Sequence, residues 1–171
     1  GSVFNNAVQF SLGHTEQHVA EALVQWLHEY GCEADTRPHE TGIYVVGNST
    51  HLADFLVTHC GSGAGNKRIP WALITGYEQL VFDDLMSGDG CLASTSLEQW
   101  HSFTTISASL AADVQLLGST LGMRSGIGKR PGGHVSIEGR LCTTQVSYSV
   151  QTRYEGKAVK IRPGKHGVGV M

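Results

Sequence analysis

At 171 residues and 18.3 kDa, with 40% apolar and 16% charged residues, the chain has the length and composition of one globular domain or two small ones. No apolar run of about 18 residues is present, which excludes a membrane-spanning helix, and no charged-then-apolar leader opens the sequence. The net charge of −3 argues against a uniformly basic nucleic-acid binder. We therefore expect an intracellular, cytoplasmic protein without a membrane partner.

Charge is distributed unevenly along the chain. Residues 1–122 contain three lysines and arginines against thirteen acidic residues, whereas residues 123–171 contain nine basic residues against two acidic ones. A basic segment on an otherwise acidic chain indicates either a surface that faces a polyanion or a solvated basic tail.

The hydrophobic pattern predicts alternating strands and helices. Alternation predicts a strand over 8–12, and apolar residues at three- and four-residue spacing predict a helix that ends at Gly31. Two strands follow, around 32–37 and 42–47, and then a second helix that Ser49 caps. After the glycine-rich stretch 61–65, a further helix is predicted from Tyr77 to Gly88.

Part of this pattern then repeats. A strand at 102–106 and a helix that ends at Gly122 correspond to the strand at 8–12 and the helix that ends at Gly31. Strands predicted over 123–129, 135–137 and 144–153 close the chain. A strand–helix–strands unit used twice predicts a pseudo-two-fold α/β (α+β) fold, with an incomplete first repeat over 1–75 and a second repeat over 76–171.

The four cysteines are far apart, and no two of them form a CxxC pair. A zinc cage needs closer pairing, and a disulfide scaffold is shorter and denser in cysteine. The spacing therefore predicts reduced thiols and no structural zinc.

The stretch FDDLMSGDG, residues 82–90, carries the most specific chemical signal. A helix that ends in Gly-Asp-Gly presents the Asp89 carboxylate at the end of a rigid rod, where the glycines let the backbone turn away. A hard oxygen ligand in that place suits Mg²⁺, which activates water for phosphodiester hydrolysis. The alternative is an aspartate in an ordinary Asp-Gly surface turn.

Three stretches, in order, resemble the LAGLIDADG homing endonucleases of the kind embedded in inteins: VQFSLGHTE at 8–16, CGSGAGNKRIP at 60–70 and FDDLMSGDG at 82–90. The resemblance implies a curved sheet saddle on double-stranded DNA and a motif helix over 77–90 with Gly88 at the helix contact. It makes Asp89 the catalytic, metal-binding acid for Mg²⁺ or Mn²⁺. It also implies a host intein splicing domain as a partner.

The same resemblance places Lys67 near the scissile phosphate, where a cation offsets developing charge, and makes Arg68 a phosphate contact. The alternative is two solvated charges on a loop. Further candidate DNA contacts lie on or near the predicted basic strands, where alternate residues point to one face. These are Arg124, Lys129, Arg130, Arg140, Arg153 and Lys157.

Two features depart from the family pattern. The first motif would precede the strand at 8–12, so the sequence contains at most one of the two catalytic acids. Asp84 also stands where the family usually has glycine at the closest helix contact, and a carboxylate there disfavours dry packing. The sequence therefore leaves open a catalytically inactive relative that binds DNA or structured RNA, and a structural insertion without a nucleic-acid partner.

Overall fold

The computed structural model describes residues 2–4, 6–94, 99–137 and 140–154. The chain is a mixed α+β protein with antiparallel sheets, and it divides into unit 1, Gly1–Gly63, and unit 2, Ala64–Met171. Within the described part of the chain, no helix is long and apolar enough to cross a membrane. The predicted saddle, and the repeat boundary after residue 75, stay predictions.

Unit 1 is a four-stranded sheet with two helices on one face. Its elements are β1 (Ser2–Phe4), β2 (Ala7–Leu12), α1 (Gln17–Glu29), β3 (Glu33–His39), β4 (Gly42–Asn48) and α2 (Thr50–Cys60). The strand order is β1-β2-β4-β3, and all neighbours are antiparallel. The core joins Val8 and Val45 of the sheet to Ala20 and Leu27 of α1 and Ala53 of α2.

Unit 2 builds its sheet in the same way and adds a ribbon. After a 3₁₀ turn (Ala64–Asn66), its elements are α3 (Trp71–Ile74), α4 (Glu78–Gly88), β5 (Gly90–Ser94), β6 (Gln99–Thr105), α5 (Ala108–Thr120), β7 (Met123–Arg130), β8 (Gly133–Ile137), β9 (Arg140–Thr144) and β10 (Ser147–Tyr154). The main sheet has the order β5-β6-β10-β7, and β8 and β9 form a separate two-stranded ribbon. Phe82, Phe103, Val114, Leu117 and Val150 lie in its core.

The predicted repeat of a strand–helix–strands unit is confirmed, and each copy has one more strand in front. Both sheets place their four main strands in the order first, second, fourth, third. Both thirteen-residue helices, α1 and α5, are followed by a glycine with positive φ, Gly31 at 72° and Gly122 at 74°. Because only glycine adopts this conformation at little cost, these two residues align the copies position by position.

Some predicted boundaries were wrong. The motif helix is Glu78–Gly88 rather than 77–90, because Asp89 caps it and Gly90 already belongs to β5. The single strand predicted over 144–153 is divided: Thr144 ends β9, and β10 begins at Ser147. The first error lies at the Gly-Asp-Gly end of the helix, and the second falls at a turn made without the glycine or proline that usually signals one.

Candidate nucleic-acid interface

The sheet of unit 2 has one face covered by α5 and one face turned away from it. A Cβ added to Gly118 of α5 would lie 2.5 Å from Ser125 Oγ and 2.9 Å from Thr152 Cγ2. Ser125 on β7 and Thr152 on β10 therefore face the helix. Since side chains alternate along a strand, Arg124 and Arg153 point to the opposite face. We call this opposite face of unit 2 the open face.

Three large side chains form one row across the open face. Arg124 of β7 is the register partner of Arg153 of β10, and the register of β10 with β6 puts Trp100 beside Arg153. These three residues line a groove of about 550 Å³, together with Gln151, Gly126, Ser125 and Thr152 of the same strands. Trp100 is half-buried, and its Nε1–H has no hydrogen-bond partner among the described residues. The row combines two guanidinium groups with an aromatic surface.

The next row of the open face is smaller and polar. Gln151 is exposed and lies between Gly126 of β7 and Ser102 of β6. A Cβ added to Gly126 would meet no atom within 4 Å. The missing side chain leaves space beside the Gln151 amide, which can both donate and accept hydrogen bonds.

The predicted basic contacts are only partly brought together. Arg130 is exposed at the end of β7, on the same face as Arg124, whereas Lys129 alternates to the face that carries α5. Arg140 is the first residue of β9, on the separate ribbon. Lys157 lies outside the described residues. Arg124 and Arg153 are thus neighbours, and Arg130 lies on the same face at the far end of β7, beside Ser147.

Asp89 lies where the motif predicted, at the end of α4. It is the exposed C-cap residue, and its backbone N–H donates to the Leu85 carbonyl oxygen at 3.1 Å. Gly90 follows because a Cβ there would lie 2.6 Å from Met86 Cα, so no larger residue permits this tight turn into β5. Asp84 and Gly88 are also exposed on α4, and their role in helix packing stays a prediction.

Lys67 lies in a segment that is hydrogen-bonded to two side chains, one at the N-terminus of α5 and one within it. Ser107 caps α5 by accepting from the Leu110 N–H, and its hydroxyl donates to the Lys67 carbonyl oxygen at 2.6 Å. The Asp113 carboxylate accepts from the Ile69 N–H and from Trp71 Nε1–H, both at 2.8 Å. These bonds fix the backbone from which the half-buried Lys67 projects. Arg68, next to it, is exposed.

Sequence reasoning missed Trp100, Gln151, Ser107 and Asp113. Two of them carried a usable signal: Trp100 alternates with polar residues on a strand, and Ser107 stands directly before a helix, as N-caps do. Asp113 carried none, because its partners are more than 40 residues away in sequence.

The end of α4 offers Mg²⁺ the Asp89 carboxylate. Among the described residues, no three His, Cys, Asp or Glu side chains converge on a possible metal position. Mg²⁺ is often held by one or two carboxylates, with water and phosphate oxygens completing its shell. The exposed Asp89 carboxylate fits one such position.

Comparison with known proteins finds a partial similarity. No family model matches this chain. The ATP-dependent DNA helicase Hel308 of Thermococcus kodakarensis is 29% identical over 132 residues, which cover 72% of this chain. The chain spans only 12% of the length of that helicase. The similarity therefore concerns a segment of a much longer protein.

Proposed function

We propose that this chain is a LAGLIDADG homing endonuclease domain of the intein-encoded type, which holds double-stranded DNA on the open face of unit 2 and hydrolyses it with Mg²⁺ or Mn²⁺. The observation that carries the proposal is the row of Arg124, Arg153 and Trp100, with Gln151 beside it. The host intein splicing domain would be its covalent neighbour.

The chemistry of the open face suits the major groove of DNA. Arginine can bind phosphates or the O6 and N7 atoms of guanine, and glutamine can bind N6 and N7 of adenine. The major groove of B-DNA admits two antiparallel strands, whereas the deep, narrow major groove of RNA does not. The similar segment in a protein named as a DNA helicase also supports a DNA partner.

Asp89 and Lys67 would supply the cleavage chemistry. Asp89 would hold the divalent cation, which when bound supplies an activated water and stabilises the leaving oxygen. Lys67 would place its ammonium group near the phosphate and offset developing charge. Ser107 and Asp113 would position Lys67 by fixing its backbone segment.

A second candidate is a relative that binds DNA or structured RNA without cutting it. The exposed Asp84 on α4 favours it, because this carboxylate replaces the glycine that the family uses where two motif helices touch. A negative charge at such a contact costs desolvation free energy. In this case Asp89 would be a helix-capping residue without a metal.

The test starts from the full chain and a library of random duplex DNA, from which bound sequences are selected at low salt. The selected duplex is then placed in a supercoiled plasmid and incubated with Mg²⁺ or Mn²⁺. We expect metal-dependent cutting that Asp89→Asn abolishes while binding is retained. Asp83→Asn is the matched control, because Asp83 is an exposed carboxylate on the same helix, paired with Gln79.

Each candidate has its own contrary outcome. Binding without cutting in either metal would refute the endonuclease and support the second candidate. Equal or tighter binding of the matching RNA duplex would move that candidate from DNA to RNA. Failure of the chain to bind any duplex at low salt would refute both.

A further inference from the structure

We propose that the protein contacts the phosphates of its DNA through unit 2 only, and that the equivalent face of unit 1 makes no phosphate contact. This inference rests on the proposed function, because it concerns how the same DNA is held. It follows from comparing equivalent positions of the two copies of the fold.

The equivalent face of unit 1 can be identified from its own packing. A Cβ added to Gly47 of β4 would lie 3.1 Å from Leu27 Cδ1, so Gly47 faces α1. Its neighbour Asn48 therefore points away from α1, together with its register partners Glu33 on β3 and Ala7 on β2. We call this opposite face of unit 1 the acidic face.

The row that carries the cations in unit 2 has none in unit 1. Gly31 and Gly122 align the copies, so Glu33 is the equivalent of Arg124. Asn48 pairs with Glu33 as Arg153 pairs with Arg124. Two arginines on the open face are thus replaced by a carboxylate and an amide. The third member of the row changes from Trp100 to Ala7.

The following rows of the acidic face do not restore the charge. Asp35 is exposed one position further along the face, where unit 2 has Gly126. Arg37 comes next, and Asp35 lies two residues away on the same face, about 7 Å along the strand. Arg37 is also the only lysine or arginine in residues 1–63, which contain seven acidic residues.

These charges have opposite effects beside DNA. Each phosphate neutralised by a lysine or arginine releases condensed counterions, and this release drives much of the binding free energy. Glu33 would repel a phosphate at the position where Arg124 attracts one. Arg37 would have its charge offset by Asp35. The favourable electrostatic part of binding therefore falls to unit 2.

The test measures the salt dependence of binding of the full chain to the selected duplex. The slope of log K against log salt is negative, and each lost phosphate contact reduces its magnitude by about 1. We expect Arg124→Gln and Arg153→Gln each to reduce the magnitude of the slope by about 1 and to weaken binding about fivefold or more. Arg37→Gln should leave slope and affinity unchanged, because Arg37 makes no phosphate contact. Circular dichroism of each variant verifies its folding.

Hydroxyl-radical footprinting of the unaltered chain gives a second measurement that needs no variant. We expect a single protected stretch of backbone. Two separate protected stretches, or a slope that changes with Arg37→Gln as it does with Arg124→Gln, would overturn the inference while leaving the proposed function intact. Absence of duplex binding by the unaltered chain would overturn both.

Discussion

Leu27 in unit 1 and Gly118 in unit 2 occupy the same position of their helices, four residues before the glycine that follows each helix, yet one has a large side chain and the other has none. The strands beneath them differ in the opposite sense. Leu27 packs against Gly47, whereas Gly118 packs against Thr152. The larger side chain is on the helix in unit 1 and on the strand in unit 2, and the helix packs against the sheet in both units.

The same comparison shows that the two surfaces of each sheet differ between the copies in different ways. Beneath the helices, the exchange of bulk conserves volume, as close packing requires. At the exposed positions of the opposite faces no such constraint operates, and Glu33 and Arg124 have opposite charges there. The interior supports the same fold in both copies, while the opposite face differs in its charge.

The largest effect that we expect on stability comes from placing the bulk of unit 1 in unit 2. Gly118→Leu should lower the free energy of unfolding by about 3 kcal/mol, because the added side chain overlaps Ser125 and Thr152. Adding Thr152→Gly should recover about 1 kcal/mol or more, since it recreates the pairing of unit 1. Urea unfolding measures both free energies, and hydrogen exchange of α5 localises the loss.

A neutral glycine replacement serves as the control for this cycle. Gly126→Ala should change stability little, because a Cβ there meets no atom within 4 Å. If the changes in free energy of unfolding caused by Gly118→Leu and Thr152→Gly were additive in the double variant, the two side chains would not compensate for each other's size. The equivalence of the helices would then be topological only.

A smaller effect on stability concerns a carboxylate that α5 has and α1 lacks. Asp113 of α5 binds Ile69 and Trp71, whereas the equivalent residue of α1, Ala22, is exposed and has no carboxylate. Asp113→Ala should cost about 2 kcal/mol, because it leaves two donors without their charged acceptor. The Ile69 amide and the Trp71 indole N–H should then exchange faster with solvent.

The control for the Asp113 hydrogen bonds is Asp83→Ala, which removes an exposed carboxylate of unit 2. It should leave the exchange of both protons unchanged. Slow exchange of the Ile69 amide in Asp113→Ala would mean that burial, and not the carboxylate, holds the segment. The positioning of Lys67 would then need another explanation.

Local signals account for the parts of this structure that the sequence predicted. Ser49 caps α2 through the Leu52 N–H as its position indicated, and the repeated strand–helix pattern was visible because each helix is followed by glycine. The C-terminal place of Asp89 followed from Gly-Asp-Gly for the same reason. These features depend on residues that are neighbours along the chain.

The parts that the sequence did not predict depend on residues that are distant along the chain. The pairing of Arg124 with Arg153 requires the register of β7 with β10, which no single strand contains. Trp26 and Tyr30 fit the apolar spacing of α1 but are exposed, because spacing gives a helix face without saying what covers it. Register and burial are properties of the assembled sheet.

The smallest effect that we expect concerns how the two equivalent helices begin. Ser107 caps α5 with its hydroxyl, whereas the equivalent residue of α1, Glu16, makes no side-chain cap and accepts instead from the Gly13 N–H. Glu16→Ser should raise the free energy of unfolding by about 0.5 kcal/mol, since the gain from a serine cap exceeds the loss of one exposed hydrogen bond. Ser49→Ala, which should cost about 1 kcal/mol, calibrates a cap in the same unit.

Urea unfolding and exchange of the Val19 amide measure the change. A loss of stability in Glu16→Ser would show that the hydrogen bond to Gly13 outweighs the serine cap, and that the two helices begin differently because each start suits its own loop.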